Sequence, residues 1–98
     1  MRRDIVIGKG GDNLTGFVRD RVYTVESALA TIEVEVSKIA HIHYMNPPHT
    51  DKDEITLKST DKLLGTVREE SVHFETEGGQ ELDIPKSRIH TLRIGMGF

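Results

Sequence analysis

Apolar side chains recur at every second position over most of the chain, the period of a strand with one buried face. Ile5 and Ile7 alternate, as do Leu14, Gly16 and Val18, then Tyr23 and Val25, then Ile32, Val34 and Val36. Polar residues such as Glu33 and Glu35 stand between them, as an antiparallel sheet with one solvated face requires. No segment sustains an apolar spacing of 3.6 residues. Turns are predicted at Gly10-Gly11-Asp12-Asn13, at Ser59-Thr60-Asp61-Lys62 and at Gly78-Gly79, where glycine accepts the positive φ of a tight hairpin. Gly16 and Gly65 fall on an inward face, which predicts a bulge, a bend or the close approach of another backbone. Ile39 to Ile42, and Ile89 to Leu92, are spaced by three, so a single 3₁₀ turn should precede a short last strand. Pro85 marks the strand end before the second of these turns.

The same succession is written twice. Asp4-Ile5-Val6-Ile7 reads like Glu54-Ile55-Thr56-Leu57, and Asp12-Asn13-Leu14-Thr15-Gly16-Phe17-Val18-Arg19 like Asp61-Lys62-Leu63-Leu64-Gly65-Thr66-Val67-Arg68. Tyr23-Thr24-Val25-Glu26 corresponds to Val72-His73-Phe74-Glu75. Ile32, Val34, Ser37 and Ile39 correspond to Leu82, Ile84, Ser87 and Ile89, and Ile42 and Tyr44 to Leu92 and Ile94. This alignment changes spacing twice by one residue, which places one residue of difference in each of two loops. The expected organisation is a first β repeat over 1–44, a linker over 45–53 containing Pro47-Pro48, and a second β repeat over 54–98. A half of about 45 residues is too small to bury a core alone, so the halves should pack together, exchange strands or pair between chains.

The run Asp61-Lys62-Leu63-Leu64-Gly65-Thr66-Val67, with Ile55-Thr56-Leu57 before it and Ile84-Pro85-Lys86-Ser87-Arg88-Ile89 after it, resembles a small duplicated β module of uncharacterised bacterial proteins. More distantly it resembles the Sm-like barrels, in which a glycine bends the second strand and a final Ile-x-x-Ile closes the sheet. Those likenesses imply an all-β fold. Two tandem copies of a roughly five-stranded antiparallel unit would form small SH3- or Sm-like barrels, or one shared barrel or sandwich. The Sm-like resemblance implies RNA binding through loops that hold Lys38 in one copy and Lys86 and Arg88 in the other. The chain departs from that family at Arg19-Asp20-Arg21 and Glu69-Glu70-Ser71, which lack the expected Asn, and it has no N-terminal helix pattern.

Composition narrows the function classes. The 98 residues hold 13 basic and 16 acidic side chains, a net charge of −3, mixed along the chain without a basic block. Phosphate-backbone binding calls for concentrated positive charge, and the absence of Trp leaves few stacking platforms, so a nucleic-acid partner is not favoured. No cysteine is present, which suits a reducing, cytoplasmic setting, and no disulfide or thiolate chemistry is available. Only three apolar residues follow the opening Met-Arg-Arg-Asp, too few for a secretory or membrane-spanning segment.

His41 and His43 alternate on one strand and could share a metal. Their counterparts Thr91 and Arg93 mark a solvent-side face, and a third ligand is lacking unless His49 of the linker approaches. His73 and His90 have no partner in sequence. Gly8-Lys9-Gly10-Gly11 lacks the helix start of a phosphate loop and reads as a hairpin connection. The carboxylates Glu33, Glu35, Glu69 and Glu70 read as a solvated face rather than an acid–base pair. Phe17 and Leu64 point away from the core, and the apolar hairpin tip Ala28-Leu29-Ala30 stands where the second half has Glu77-Gly78-Gly79-Gln80. The expectation is a non-catalytic module without a cofactor, acting in protein binding or self-assembly as a homo-oligomer, with Phe17, Leu29 and Leu64 as contacts. An Sm-like RNA-binding protein using Lys38, Lys86 and Arg88 is the alternative, and a His41/His43 metal site ranks behind both.

Overall fold

The alternating segments form ten antiparallel strands and two 3₁₀ turns in the computed structural model, which describes residues 3–44 and 52–95. In chain order the elements are β1 (Asp4–Gly8), β2 (Asn13–Val18), β3 (Val22–Ser27), β4 (Thr31–Glu35), a 3₁₀ turn (Val36–Lys38) and β5 (Ile39–His43). They continue with β6 (Asp53–Leu57), β7 (Lys62–Val67), β8 (Ser71–Thr76), β9 (Glu81–Pro85), a second 3₁₀ turn (Lys86–Arg88) and β10 (Ile89–Arg93). Both 3₁₀ turns form before the last strand of each half, but the three-residue spacings Ile39 to Ile42 and Ile89 to Leu92 lie just after them, inside β5 and β10, where the ladder register shifts by one residue. The linker expected over 45–53 lies almost wholly outside the described residues, and β6 already begins at Asp53.

All ten strands belong to one sheet in the order β4-β3-β7-β6-β5-β10-β1-β2-β8-β9. Of the alternatives the pattern leaves open, separate barrels are thereby replaced by a single curled, half-barrel sheet. The order reads the same from either edge once β1–β5 are exchanged for β6–β10. Neither half is self-contained: β5 lies between β6 and β10, β2 pairs with β8, and β3 pairs with β7.

Curling is forced by two short connections. Residues 19–21 join β2 to β3, and residues 68–70 join β7 to β8. Such a link spans at most about 14 Å fully extended. Along the sheet, β2 and β3 are six strand spacings apart, about 29 Å if flat. The sheet must therefore fold over until its two wings face each other, and a thickness of 17 Å fits two facing layers. One continuous core fills the fold, with Tyr23, Val25, Ile55 and Val67 from one wing and Val18, Val72 and Phe74 from the other; Ile42 and Leu92 lie at its centre.

The first strand corrects the sequence alignment. Val6, not Ile5 or Ile7, enters the core; it faces Leu92 and Leu14, while Ile5 and Ile7 lie half-buried on the outer face beside Arg93 and Thr91. Val6 corresponds in place to Ile55, and Asp4 to Asp53. A one-residue slip reverses the faces of a strand, and Ile-Val-Ile is apolar in either parity. The marker is the aspartate. Asp4 and Asp53 are both buried, and each accepts the N–H that closes the neighbouring strand, from Val18 at 2.7 Å and from Val67 at 2.9 Å. With this register the spacing between halves changes once, in the β3–β4 turn. There Ser27 N–H reaches the Ala30 carbonyl, whereas Thr76 N–H reaches Gln80, one residue further on.

Gly16 and Gly65 mark close backbone approach. A Cβ on Gly16 would stand 2.0 Å from the Glu75 carbonyl oxygen, and one on Gly65 2.2 Å from that of Glu26. In the β1–β2 turn Gly11 takes φ of 92°, while the matching place in the β6–β7 turn is held by Thr60 at φ 77°. Positive φ is costly for a β-branched residue. Gly65→Ala should therefore destabilise the protein by about 2–3 kcal/mol or more, because backbone rather than a side chain must move. Thr60→Gly should stabilise it by about 0.5–1 kcal/mol. Urea unfolding of both variants reads these signs; a neutral Gly65→Ala would refute the close β3–β7 approach.

Candidate functional site

The sheet order leaves β4 and β9 with a neighbour on one side only. Antiparallel ladders alternate, so every second residue turns its N–H and C=O away from the neighbouring strand. In β4 the bonds from Ser27 N–H to the Ala30 carbonyl (3.0 Å) and from Val36 N–H to the Arg21 carbonyl (2.8 Å) fix the parity. Ile32 and Val34 thus bond inward to β3, and Thr31, Glu33 and Glu35 present their backbone groups outward. In β9 the bonds from Thr76 N–H to the Gln80 carbonyl and from Lys86 N–H to the Glu70 carbonyl place Glu81, Asp83 and Pro85 outward. Pro85 has no N–H, so the β9 edge lacks a donor at the place where β4 offers Glu35. The two edges are related in the fold and differ in what they offer.

Leu29 stands at one end of the β4 edge. It is 89% exposed in a turn that Ser27 Oγ holds by accepting the Leu29 and Ala30 N–H groups. At the other end lies an open cavity of roughly 580 Å³. Val18, Val22 and Val36 give it apolar walls, and Arg19, Arg21 and Glu35 give it charge. Glu33 is exposed and forms no ion pair among the described residues; Glu35 has only Lys38, at 4.0 Å.

Between the wings sits a clamp that the sequence pattern does not announce. Asp20, in the β2–β3 connection, accepts the Tyr23 hydroxyl at 2.7 Å and the His73 N–H at 3.0 Å through one oxygen. Its other oxygen lies 2.9 Å from His73 Nδ1, while His73 Nε2 lies 2.7 Å from Asp83 of β9. The hydrogen bond and charge of Asp20, followed by the charge of Asp83, raise the His73 pKa above its ordinary value. Burial, more than any charge, raises the pKa of the Tyr23 hydroxyl, which stays protonated. The β7–β8 connection mirrors the backbone part of this arrangement. Glu69 accepts the Thr24 N–H at 2.8 Å, and Arg68 N–H donates to the Thr24 carbonyl as Arg19 N–H does to that of His73.

The remaining sequence candidates are scattered. Phe17, half-buried opposite Glu75 on β2, and Leu64, 51% exposed opposite Glu54 on β7, are five strand spacings apart, about 24 Å along the sheet. They form no common patch. Leu64 is close in register to the turn bearing Leu29, because Ser27 lies opposite Gly65. Lys38 ends one 3₁₀ turn, and Lys86 and Arg88 lie in the other. These turns feed the antiparallel neighbours β5 and β10 from opposite ends, so the three cations do not converge. The Lys86 ammonium donates to the Val67 carbonyl.

His41 and His43 share the outer face of β5, opposite Arg93 and Thr91, and are half-buried rather than freely solvated. His43 meets the ring of His90 edge-on at 4.5 Å, and Thr91 Oγ1 lies 2.8 Å from His90 Nδ1. His73 and His90 thus both have partners: Asp20 and Asp83 for His73, and for His90 its neighbour Thr91 and the ring of His43 across the sheet. Among the described residues no group of three or more His, Asp or Glu side chains is placed to hold a metal ion. His49 lies outside them. Among these residues no helix is long and apolar enough to cross a membrane. Comparison with protein-family models, with curated proteins and with solved structures finds no match.

The raised His73 pKa has a definite sign. Its contribution to stability is full below the unfolded value of about 6.5 and is lost as pH rises through the higher folded value. The melting-temperature advantage of the native protein over His73→Gln should therefore be larger near about pH 5.5 than near about pH 8.5. Proton NMR should place the His73 titration above about 6.5 and move it down in Asp20→Asn. A titration unaffected by Asp20→Asn would remove the clamp.

Proposed function

We propose that this chain is a non-catalytic β module that acts by binding a protein partner, and that its two halves are copies of one unit. The open β4 edge carries the first part of this reading. It is a row of outward backbone groups framed by exposed Leu29 and an open cavity of mixed apolar and charged lining, the layout that strand addition uses: main-chain bonds for affinity and an adjoining pocket for selectivity. The scatter of Lys38, Lys86 and Arg88 favours a protein over RNA. Asp20, the carboxylate most engaged with a histidine, is tied to Tyr23 and to the His73 backbone, which suits a structural part better than proton transfer. Asp4 and Asp53 accept backbone N–H groups at matching places, as do Asp20 and Glu69, and this correspondence supports the copied unit.

The test is selection of a random peptide display library on the immobilised protein. Recovery of related extended sequences, rich in β-branched residues, is the expected outcome. A library in which nothing is enriched over the bare support would refute the protein-binding reading.

A further inference from the structure

We propose that the β4 edge accepts an eleventh strand from another protein, a segment alternating Lys or Arg with apolar residues; this rests on the protein-binding reading above. The alternation follows from the pleat. Side chains of an added strand point to opposite faces at successive positions. On one face they meet Thr31, Glu33 and Glu35, where Glu33 is unpaired among the described residues and Glu35 is loosely held by Lys38. Opposite charges directly across a strand pair are favourable, so this face selects cations. On the other face they continue the row of half-buried Ile32 and buried Val34, so this face selects apolar side chains. Beyond Glu35 lies the open cavity, where Val18, Val22 and Val36 offer apolar wall beside the charged Arg19, Asp20 and Arg21.

A second copy of this chain is a poor occupant. Antiparallel pairing of β4 with itself, centred on Glu33, sets Glu33 against Glu33, and like charges in that position repel. The β9 edge of another copy offers Glu81 and Asp83, again acidic, with a missing donor at Pro85. Acidic edges on both sides keep copies apart and leave β4, with its full set of donors, open to a strand of opposite charge.

The experiment uses the full chain and two labelled peptides of about seven residues, one alternating Lys with Val and one alternating Glu with Val, read by fluorescence anisotropy at low salt. The Lys–Val peptide should bind at least about tenfold tighter than the Glu–Val peptide, and the double variant E33K/E35K should reverse that order. Glu33→Pro removes an outward donor without touching the β3 ladder. It should weaken Lys–Val binding by about tenfold or more while the circular dichroism and melting temperature hold. Binding unchanged in both variants overturns the edge assignment. If display-selected peptides also bind both variants undiminished, the general protein-binding reading survives that failure. If no selected peptide binds at all, that reading falls on its own evidence. A concentration-dependent doubling of mass in light scattering that E33K/E35K abolishes would overturn the basic partner in favour of a second copy.

Discussion

Two connections of three residues each determine the shape of this molecule. Residues 19–21 and 68–70 tie strands that stand six places apart in one sheet, and no flat arrangement satisfies them. Folding the sheet over brings its wings together, and that single act creates the core. A ten-stranded sheet from such a short chain has strands of five or six residues, each able to bury only two or three side chains. Only by facing one wing with the other do Tyr23 and Phe74 become fully enclosed. The crossing points are also where polar backbone would be stranded. Asp20 and Glu69 accept the N–H groups of His73 and Thr24 on the strands that β2 and β7 have just been paired with, so each connection repairs the ladder that the crossing interrupts.

The same economy governs the strand starts. Asp4 and Asp53 are buried carboxylates at the beginning of β1 and β6, a costly placement unless hydrogen bonds replace the lost water. Each receives the N–H that ends the adjacent strand, and Asp4 also accepts the N–H of Gly95 at 2.8 Å. Gly16 and Gly65 lie directly opposite these aspartates and are the points at which β8 and β3 come too close for a side chain. Aspartate, glycine and crossing connection therefore form one device, used once in each wing. Because each device closes on a strand of the other half, β8 or β3, β1–β5 without β6–β10 would keep two hairpins and an orphan strand.

Much of this was legible in the chain, and the reasons for the misses are physical. Period-two alternation located the strands because each has one wet face. The two spacings of three pointed to the turn regions but themselves mark register shifts in β5 and β10, and the inward glycines marked the close approaches. Parity in β1 was not legible from hydrophobicity, since Ile5, Val6 and Ile7 satisfy either face. Aligning Asp4 with Asp53 would have settled it, but a charged residue does not announce burial. The Asp20–His73 clamp joins residues 53 apart, with no local pattern to expose it. Phe17 and Leu64 were both readable as outward, yet their separation depends on strand order, and strand order follows from which halves interleave. That is a property of the whole chain, not of any window within it.

The two edges differ in how they are protected. Pro85 and Glu35 occupy the same place, each just before a 3₁₀ turn, and both backbones are extended there, with φ of −60° and −65°. The geometry at Glu35 would accept proline. Protection against unwanted strand pairing would gain from proline at both edges, because both are equally open. The β9 edge also engages its outward Asp83 with His73, whereas Glu33 at the matching region of β4 is left facing solvent. An exposed leucine in the adjoining turn adds apolar surface at the edge that is already less protected. Stability and protection from pairing argue for proline at position 35 and against an exposed Leu29, whereas the solvent-facing Glu33 guards the edge against other acidic strands. The missing proline and the exposed leucine thus fall together at β4 and its turn, the edge to which contact is proposed.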